Sequence, residues 1–598
     1  MYTKLITLLL VCSIGASVTF SNGSNDRHRA IKIVPNGDVF RGDTGPIVNR
    51  GGVPIVNDRI LTPPMSFGSD AITWTISEVS VDGRTQYDLQ SNGNTNYIVQ
   101  NPTNPLNMHA CFMVATDPNP WNTRNVRYFY TTDGGTSWSY LGTVTTARSG
   151  FPCITMTSDD RAVIMNHSTD GGGILRGQIY VDVAPGAGSW TRLNPGTTGG
   201  TITPIWPDAT IDRQTPNKLL FCVSQQTPGD SLFRNVCTNL NSPGTFLGYQ
   251  HVPLGETAEQ YATAVTLDGS RYGIAYCTST GGAEYRTSTD DGVTWSAPTV
   301  VWTWNPADST GTLRTVDLIY DAAGTPKVLV GLGSVDPVGG SFIPGLPSKV
   351  IFWSPGINGG NPVTIDSAAG LNGSNPANDV FFSVTRSTIG MSYDNNAIYV
   401  AYNKVRTDTS AEGNNYFDTW FRYSSTGGAT WSPKTQLTNV TGPLRDCRYP
   451  AISPTNHFTV NGPHYAHIVV MSDSVPGSNV NGAPASESKM TYIKVTITDP
   501  IGIHNIGGEV PGSYQLYQNY PNPFNPSTKI KFALPKSGFV TLKLYDVLGK
   551  ELGTLISEDI SAGTFEYVLN ANNLPSGVYF YSLRAGDFSD SKKMILVK

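Results

Sequence analysis

Through the middle of the chain, short apolar runs alternate with stretches dense in Gly, Pro, Ser, Thr, Asn and Asp. Seven runs stand out: 109–115 (HACFMVA), 161–165 (RAVIM), 218–223 (KLLFCV), 272–276 (YGIAY), 327–330 (KVLV), 397–402 (AIYVAY) and 465–470 (YAHIVV). They are of strand length, and no segment keeps a 3.5- or 3.6-residue apolar period for three heptads, so helical bundle and coiled coil are excluded. Their centres, near 111, 163, 221, 274, 329, 399 and 467, are 52, 58, 53, 55, 70 and 68 residues apart. Four strands with their turns fill about 50 residues, so each run reads as one strand of a propeller blade. Turn signals such as Ser158-Asp-Asp160, Leu267-Asp-Gly269 and Tyr393-Asp-Asn-Asn396 precede several of the runs. The pattern predicts an all-β protein with a seven-bladed β-propeller over 91–498. Within the N-terminal segment 21–90, residues 71–77 (AITWTIS) are placed to close the ring, which would remove two exposed sheet edges.

A second pattern is in phase with the first. Residues 131–138 (TTDGGTSW) and 288–295 (STDDGVTW) share the form S/T-x-D-x-G-x-S/T-W, and 424–431 (SSTGGATW) keeps it with Thr426 in the aspartate position. An Asp carboxylate can accept bonds from turn amides and hydroxyls, Gly admits a positive φ, and Trp packs beneath the hairpin. These octets resemble the Asp-box (BNR) repeats of sialidase-like propellers. The resemblance implies structural roles for Asp133, Gly135, Trp138, Asp290, Gly292, Trp295, Gly428 and Trp431, on the blade periphery and away from the ligand face. Asp133 and Asp290 are expected in hairpin turns above mostly buried tryptophans, and Thr426 in a looser copy of the same turn.

From 513 onward the text changes. The opening YPNPFNPST (520–528) is too proline-rich for a central strand. It is followed by VTLKLYDVLGKE (540–551), LPSGVYFYSLRAG (574–586) and KKMILVK (592–598). Short alternating strands with Gly-bearing turns predict a small β-sandwich over 513–598, after a Gly/Pro-bearing linker at 499–512. The whole segment closely resembles the type A C-terminal sorting domain of type IX secretion cargo. That implies export through the type IX machinery, with 513–598 as the part the machinery engages, a domain that touches the propeller little and a final strand exposed at a sheet edge.

The other end fits export. Lys4, an apolar run from Leu5 to about Val18 and the small polar residues after it read as a secretory signal peptide over 1–20, too short to span a bilayer. Charged residues make up 14% of the chain, with 40 basic and 45 acidic residues well mixed and a net charge of −5, which argues against a nucleic-acid binder. The 28 Tyr, 22 Phe and 11 Trp separate this low-charge chain from a disordered one. Outside the leader stand six cysteines, as readily buried thiols as disulfides; Cys222 and Cys237 could face each other across a hairpin. No metal-ligand spacing appears, His464 and His467 would point to opposite faces of a strand, and no cofactor is expected.

Catalytic signals are sparse. Sialidases as a family hold a carboxylate with three arginines and use a Tyr–Glu pair and an acid–base Asp. The best local match here is 256–269 (ETAEQYATAVTLDG), with Glu256 and Glu259 as weak candidates and Glu259 about one residue off the family spacing. The strand that should follow with an arginine reads YGIAYC, the Arg-Ile-Pro signature is missing, and Arg448-Tyr449 imitate only the late Arg and Tyr. A lost arginine removes bidentate carboxylate recognition, so authentic sialidase activity is not expected. Asp208, Asp212 and Asp379 are further carboxylates near blade entrances, and Trp121, Trp206, Trp302, Trp304, Trp353, Tyr416 and Trp420 are available for sugar stacking or for packing. Arg41-Gly-Asp43 matches a short adhesion tripeptide of a kind common by chance. The reading is an exported or cell-surface propeller that binds glycan or another extracellular polymer. The alternatives are a divergent glycoside hydrolase or lyase, and a self-assembling adhesive component.

Overall fold

The computed structural model describes residues 71–597, apart from 81–83, 89, 91–95, 170–172, 197–203, 215, 226–230, 254, 256–259, 305–309, 335–346, 371–382, 395–396, 460–462, 499–502, 506–509, 526, 561 and 572–573. The expected signal peptide, Arg41-Gly-Asp43, Glu256, Glu259 and Asp379 lie outside the described residues.

Among the described residues, seven sheets of four or five strands follow one another along the chain, at 98–143, 149–193, 204–252, 261–302, 310–368, 384–436 and 446–498, antiparallel except where Thr455–Asn456 adds a short parallel strand to the sixth. The first strand of each packs against the first strand of the next, and the first sheet meets the seventh, so the sheets form a closed ring of blades. The seventh blade takes its outermost strand from the other end of the chain. Ala71–Glu78 pairs antiparallel with Lys489–Thr498, from Ala71 opposite Thr498 to Glu78 opposite Thr491. This is the closing strand expected from the sequence.

All seven apolar repeat runs fall on the second strand of a blade: Met108–Val114, Ala162–Ser168, Lys218–Gln225, Tyr272–Cys277, Pro326–Ser334, Ile398–Thr409 and His464–Asp473. That strand is covered on both faces, hence its near-continuous apolar text. Leu219, Phe221 and Val223 face the second blade, and Leu220 and Cys222 face the fourth, as a period of two requires. Each seam between neighbouring blades holds its own apolar cluster, and the ring is a chain of such small cores. Polar bonds tie the inner strands together. Thr263 donates its amide and hydroxyl to Asp208 of the preceding blade, both at 2.7 Å, and Ile389 donates its amide to Asp317 at 2.8 Å.

The six cysteines beyond the leader are buried, and none of them is in a disulfide. Cys222 stands opposite Arg234, and Cys237 opposite Leu219, so the suggested Cys222–Cys237 pairing does not occur.

The three boxes are third-to-fourth-strand hairpins. Asp133 accepts bonds from the Thr131 hydroxyl at 2.7 Å, the Ser137 hydroxyl at 2.6 Å and the Ser137 amide at 3.0 Å. Asp290 repeats the pattern with Ser288, at 2.8 Å, and with the amide and hydroxyl of Thr294, at 2.8 and 2.6 Å. Trp138 and Trp295 are mostly buried, each keeping part of its surface exposed. The third copy is not loose: the Thr430 amide donates to the Thr426 hydroxyl at 2.7 Å, and Trp431 is buried.

The C-terminal part is a sandwich of two four-stranded sheets. One is ordered Ile503–Asn505, Gly563–Asn570, Ser527–Leu534, Gln515–Leu516, and the other Glu551–Ile560, Gly538–Tyr545, Gly577–Ala585, Phe588–Leu596. Ile503–Asn505 lies in the stretch read as linker, yet it belongs to this sandwich. The last strand is at a sheet edge, with Met594 and Leu596 buried and Lys593 exposed. Contact with the propeller is not negligible, because Ala429 and Ile357 join the sandwich's apolar cluster.

Candidate functional site

In a four-stranded meander the box hairpins share one end of the ring with the first-to-second-strand turns. The N-terminal part of each inner strand lies towards the other end. There, five inner strands break register: between Gly150 and Cys153, Ile205 and Asp208, Thr312 and Val316, Thr385 and Thr388, and Arg448 and Ala451. At four of these bulges the first extra residue has a left-handed backbone: Phe151 at φ 51°, Trp206 at 51°, Arg386 at 48° and Tyr449 at 57°. Bulky residues rarely adopt this conformation, and such strain gathers where side chains must be aimed. Proline follows three of them, at 152, 207 and 450, where the bulge excuses its missing amide from the ladder.

The aimed side chains form a contiguous cluster with Tyr87, Trp121, Arg124 and His167. The Arg124 guanidinium lies 4.9 Å from the Tyr87 ring centre and 5.8 Å from that of Phe151. Phe151 stands 5.0 Å from His167 and 6.2 Å from Trp206, and Tyr87 stands 5.3 Å from Trp121. Tyr87, Trp121, Phe151, Trp206 and Tyr449 belong to one apolar cluster. On its far side, Arg386 sits 4.4 Å above the Tyr449 ring.

This cluster is polar where a core should not be. Arg124 is 4% exposed, yet no carboxylate lies within ion-pair distance of it among the described residues. Among the described residues, neither ring nitrogen of His167 nor the Tyr449 hydroxyl has a hydrogen-bond partner, although both residues are buried. Burial, reinforced by Arg124 and the exposed Arg148, holds the His167 imidazole well below the usual histidine range, so it is neutral at physiological pH. Burial, with Arg124 beside it, also lowers Arg148 from its usual range. Unpartnered buried polar groups are expensive, and they collect at sites where a ligand supplies the missing partner.

The sequence-derived candidates divide. Tyr449 is in the cluster. Arg448 is beside it but committed elsewhere: its Nε lies 2.9 Å from Asp446, and its Nη2 donates to the Gly477 carbonyl at 2.8 Å. Asp446 in turn accepts the Phe417 amide at 2.9 Å, and Asp88 the Asn479 amide at 2.6 Å, so neither carboxylate is unengaged. Asp208 binds Thr263, and Asp212 accepts the Tyr272 hydroxyl at 2.8 Å; both hold blades together. Among the suggested platform aromatics, Trp121 and Trp206 reach the cluster. Trp302 and Trp420 lie beneath Lys349 and Lys404, and Trp353 is buried between blades four and five. His464 bonds Asp394 whereas His467 bonds His457 and Tyr492, and no three potential metal ligands gather among the described residues.

Arg124, Arg148, Phe151, His167 and Arg386 were not picked out from the sequence. The available signal was the recurrence of aromatic-Pro at 151, 206 and 449, with the first two 55 residues apart, one blade period.

Residues 518–598 match the family described as the secretion system C-terminal sorting domain. The segment is the type IX sorting domain that its motifs resemble, and it addresses the protein to the cell surface or the medium. No helix among the described residues is long and apolar enough to cross a membrane. No curated protein matches the chain by sequence. Similar solved structures include an ulvan lyase of polysaccharide lyase family PL25 bound to -[GlcA(1-4)Rha3S]-, with 11% identity, TM-score 0.40, and coverage of 68% of this chain and 95% of the other. A Trypanosoma rangeli sialidase in complex with the inhibitor DANA has 10% identity, TM-score 0.32, and coverage of 77% and 86%. A protein of unknown function from Dyadobacter fermentans has 12% identity, TM-score 0.34, and coverage of 70% and 99%.

Proposed function

We propose that the propeller binds an acidic extracellular glycan at the bulged end of the ring, and that the box residues only brace the opposite end. The observation that carries this reading is Arg124, buried on two aromatic rings with no carboxylate beside it among the described residues, near exposed Arg148 and a His167 that has no partner among them. A ligand carboxylate or sulfate would supply the missing anion. Glycoside hydrolysis needs a pair of available carboxylates, and among the described residues Asp88 and Asp446, the carboxylates beside Arg448, are engaged.

A second reading, elimination from a sugar acid, is favoured by the neutral His167 next to Arg124: a base beside a cation that can neutralise the carboxylate of the sugar. An array of acidic and neutral polysaccharides, followed by an assay for unsaturated chain ends on every polymer retained, separates the readings. Retention of acidic polymers without new ends is the expected result, and new ends abolished by His167→Ala would establish the lyase. Equal retention of neutral polymers would refute the anionic site.

A further inference from the structure

The three box hairpins share one eight-residue pattern, so differences in their surroundings can be read position by position. Gly135, Gly292 and Gly428 have φ of 84°, 82° and 102°. Their amides donate to the hydroxyls of Thr131, Ser288 and Ser424 at 3.3, 2.9 and 2.9 Å. The turns are therefore alike, and their exposure is not. Asp133 and Asp290 are exposed, whereas Thr426 at the same position is 2% exposed. Val293 is 54% exposed, whereas its counterpart Ala429 is 7%. Trp138 and Trp295 are partly exposed, and Trp431 is buried at 8% exposed.

What covers the third hairpin comes from outside it. Ala429 belongs to the apolar cluster of the C-terminal sandwich, which contains Leu516, Phe524 and Ile530, and Ile357 of blade five packs against the same cluster. We infer that the blade-six hairpin is the docking site of the sorting domain, and that threonine replaces the box aspartate there because a carboxylate under the sandwich would lose its water. Burying an uncompensated carboxylate is costly. The threonine hydroxyl keeps the bonds the turn needs, to the Thr430 amide at 2.7 Å and the Thr430 hydroxyl at 3.0 Å, without a charge. The sorting domain thus rests on the sixth blade.

Limited proteolysis of the full-length chain between 499 and 512 tests this, with thermal melting as a check on folding. Thr426→Asp and Ala429→Arg should speed release of the C-terminal fragment tenfold or more, while Asp290→Thr and Val293→Arg, at the uncovered hairpin, should leave the rate unchanged. Ala429→Arg removes no side-chain bond of the turn, so it decides the matter alone if Thr426→Asp fails to fold. An unchanged release rate in Ala429→Arg, or equal acceleration by Val293→Arg, would overturn the docking site.

Discussion

Asp133 and Thr426 stand at the same corner of equivalent hairpins and show how far residue chemistry can be read without coordinates. The sequence identified both turns, but it implied that losing the carboxylate loosens the third. The structure reverses that, because the decisive term is burial by a domain distant in sequence, which the octet itself does not encode. At Asp133, burial favours the neutral carboxyl, but the hydroxyl and amide of Ser137 and the hydroxyl of Thr131 outweigh it and hold the pKa down to about 2. A carboxyl whose folded pKa lies below its unfolded one stabilises the fold above the unfolded value. That contribution is lost as pH falls from about 4 to about 2. In acid titrations followed by tryptophan fluorescence, Asp133→Asn should therefore be less stable than the native chain at neutral pH, by no more than about 1 kcal/mol for so exposed a turn. The gap should close towards pH 2. A constant gap across that range would show that the carboxylate's charge contributes nothing. The strained residues Phe151, Trp206 and Tyr449 were the harder case. Aromatic-Pro reads locally as the start of a strand, and only the register of the partner strand reveals the bulge that aims the side chain.

At the level of strands, the second strand of each blade was legible because both its faces are covered, which leaves an apolar run of fixed length. The inner strands were not, since prolines, polar seam residues such as Asp208 and Asp317, and bulges interrupt their pattern. The closing strand Ala71–Glu78 was legible through its position before the first repeat and the edges a ring must close. It covers the edge of Lys489–Thr498 along eight paired positions. Removing 71–78 should expose that edge and lower the melting temperature by on the order of 10 °C, with concentration-dependent aggregation. Differential scanning calorimetry on the shortened chain measures both, and an unchanged melt would show that the ring does not depend on this strand.

For the whole molecule, the chain divides its tasks between ends. The C-terminal motifs announced an exported protein more clearly than anything in the propeller announced its ligand. Export is written in contiguous text, whereas the proposed binding site is assembled from Arg124, Phe151, His167, Trp206, Arg386 and Tyr449, contributed by five blades or the loops between them. Composition pointed away from this site, because a net charge of −5 does not reveal where Arg124, Arg148 and Arg386 stand. Local fields, not net charge, select an acidic polymer. The most direct measurement is a calorimetric titration of the full-length protein with an acidic polysaccharide retained on the array and with the same polymer after its carboxylates are reduced to alcohols. The account predicts binding of the acidic form, weakened by salt and by tenfold or more in Arg124→Gln, about 1.4 kcal/mol, and no measurable binding of the reduced form. Equal affinity for both forms, or full affinity in Arg124→Gln, would contradict it.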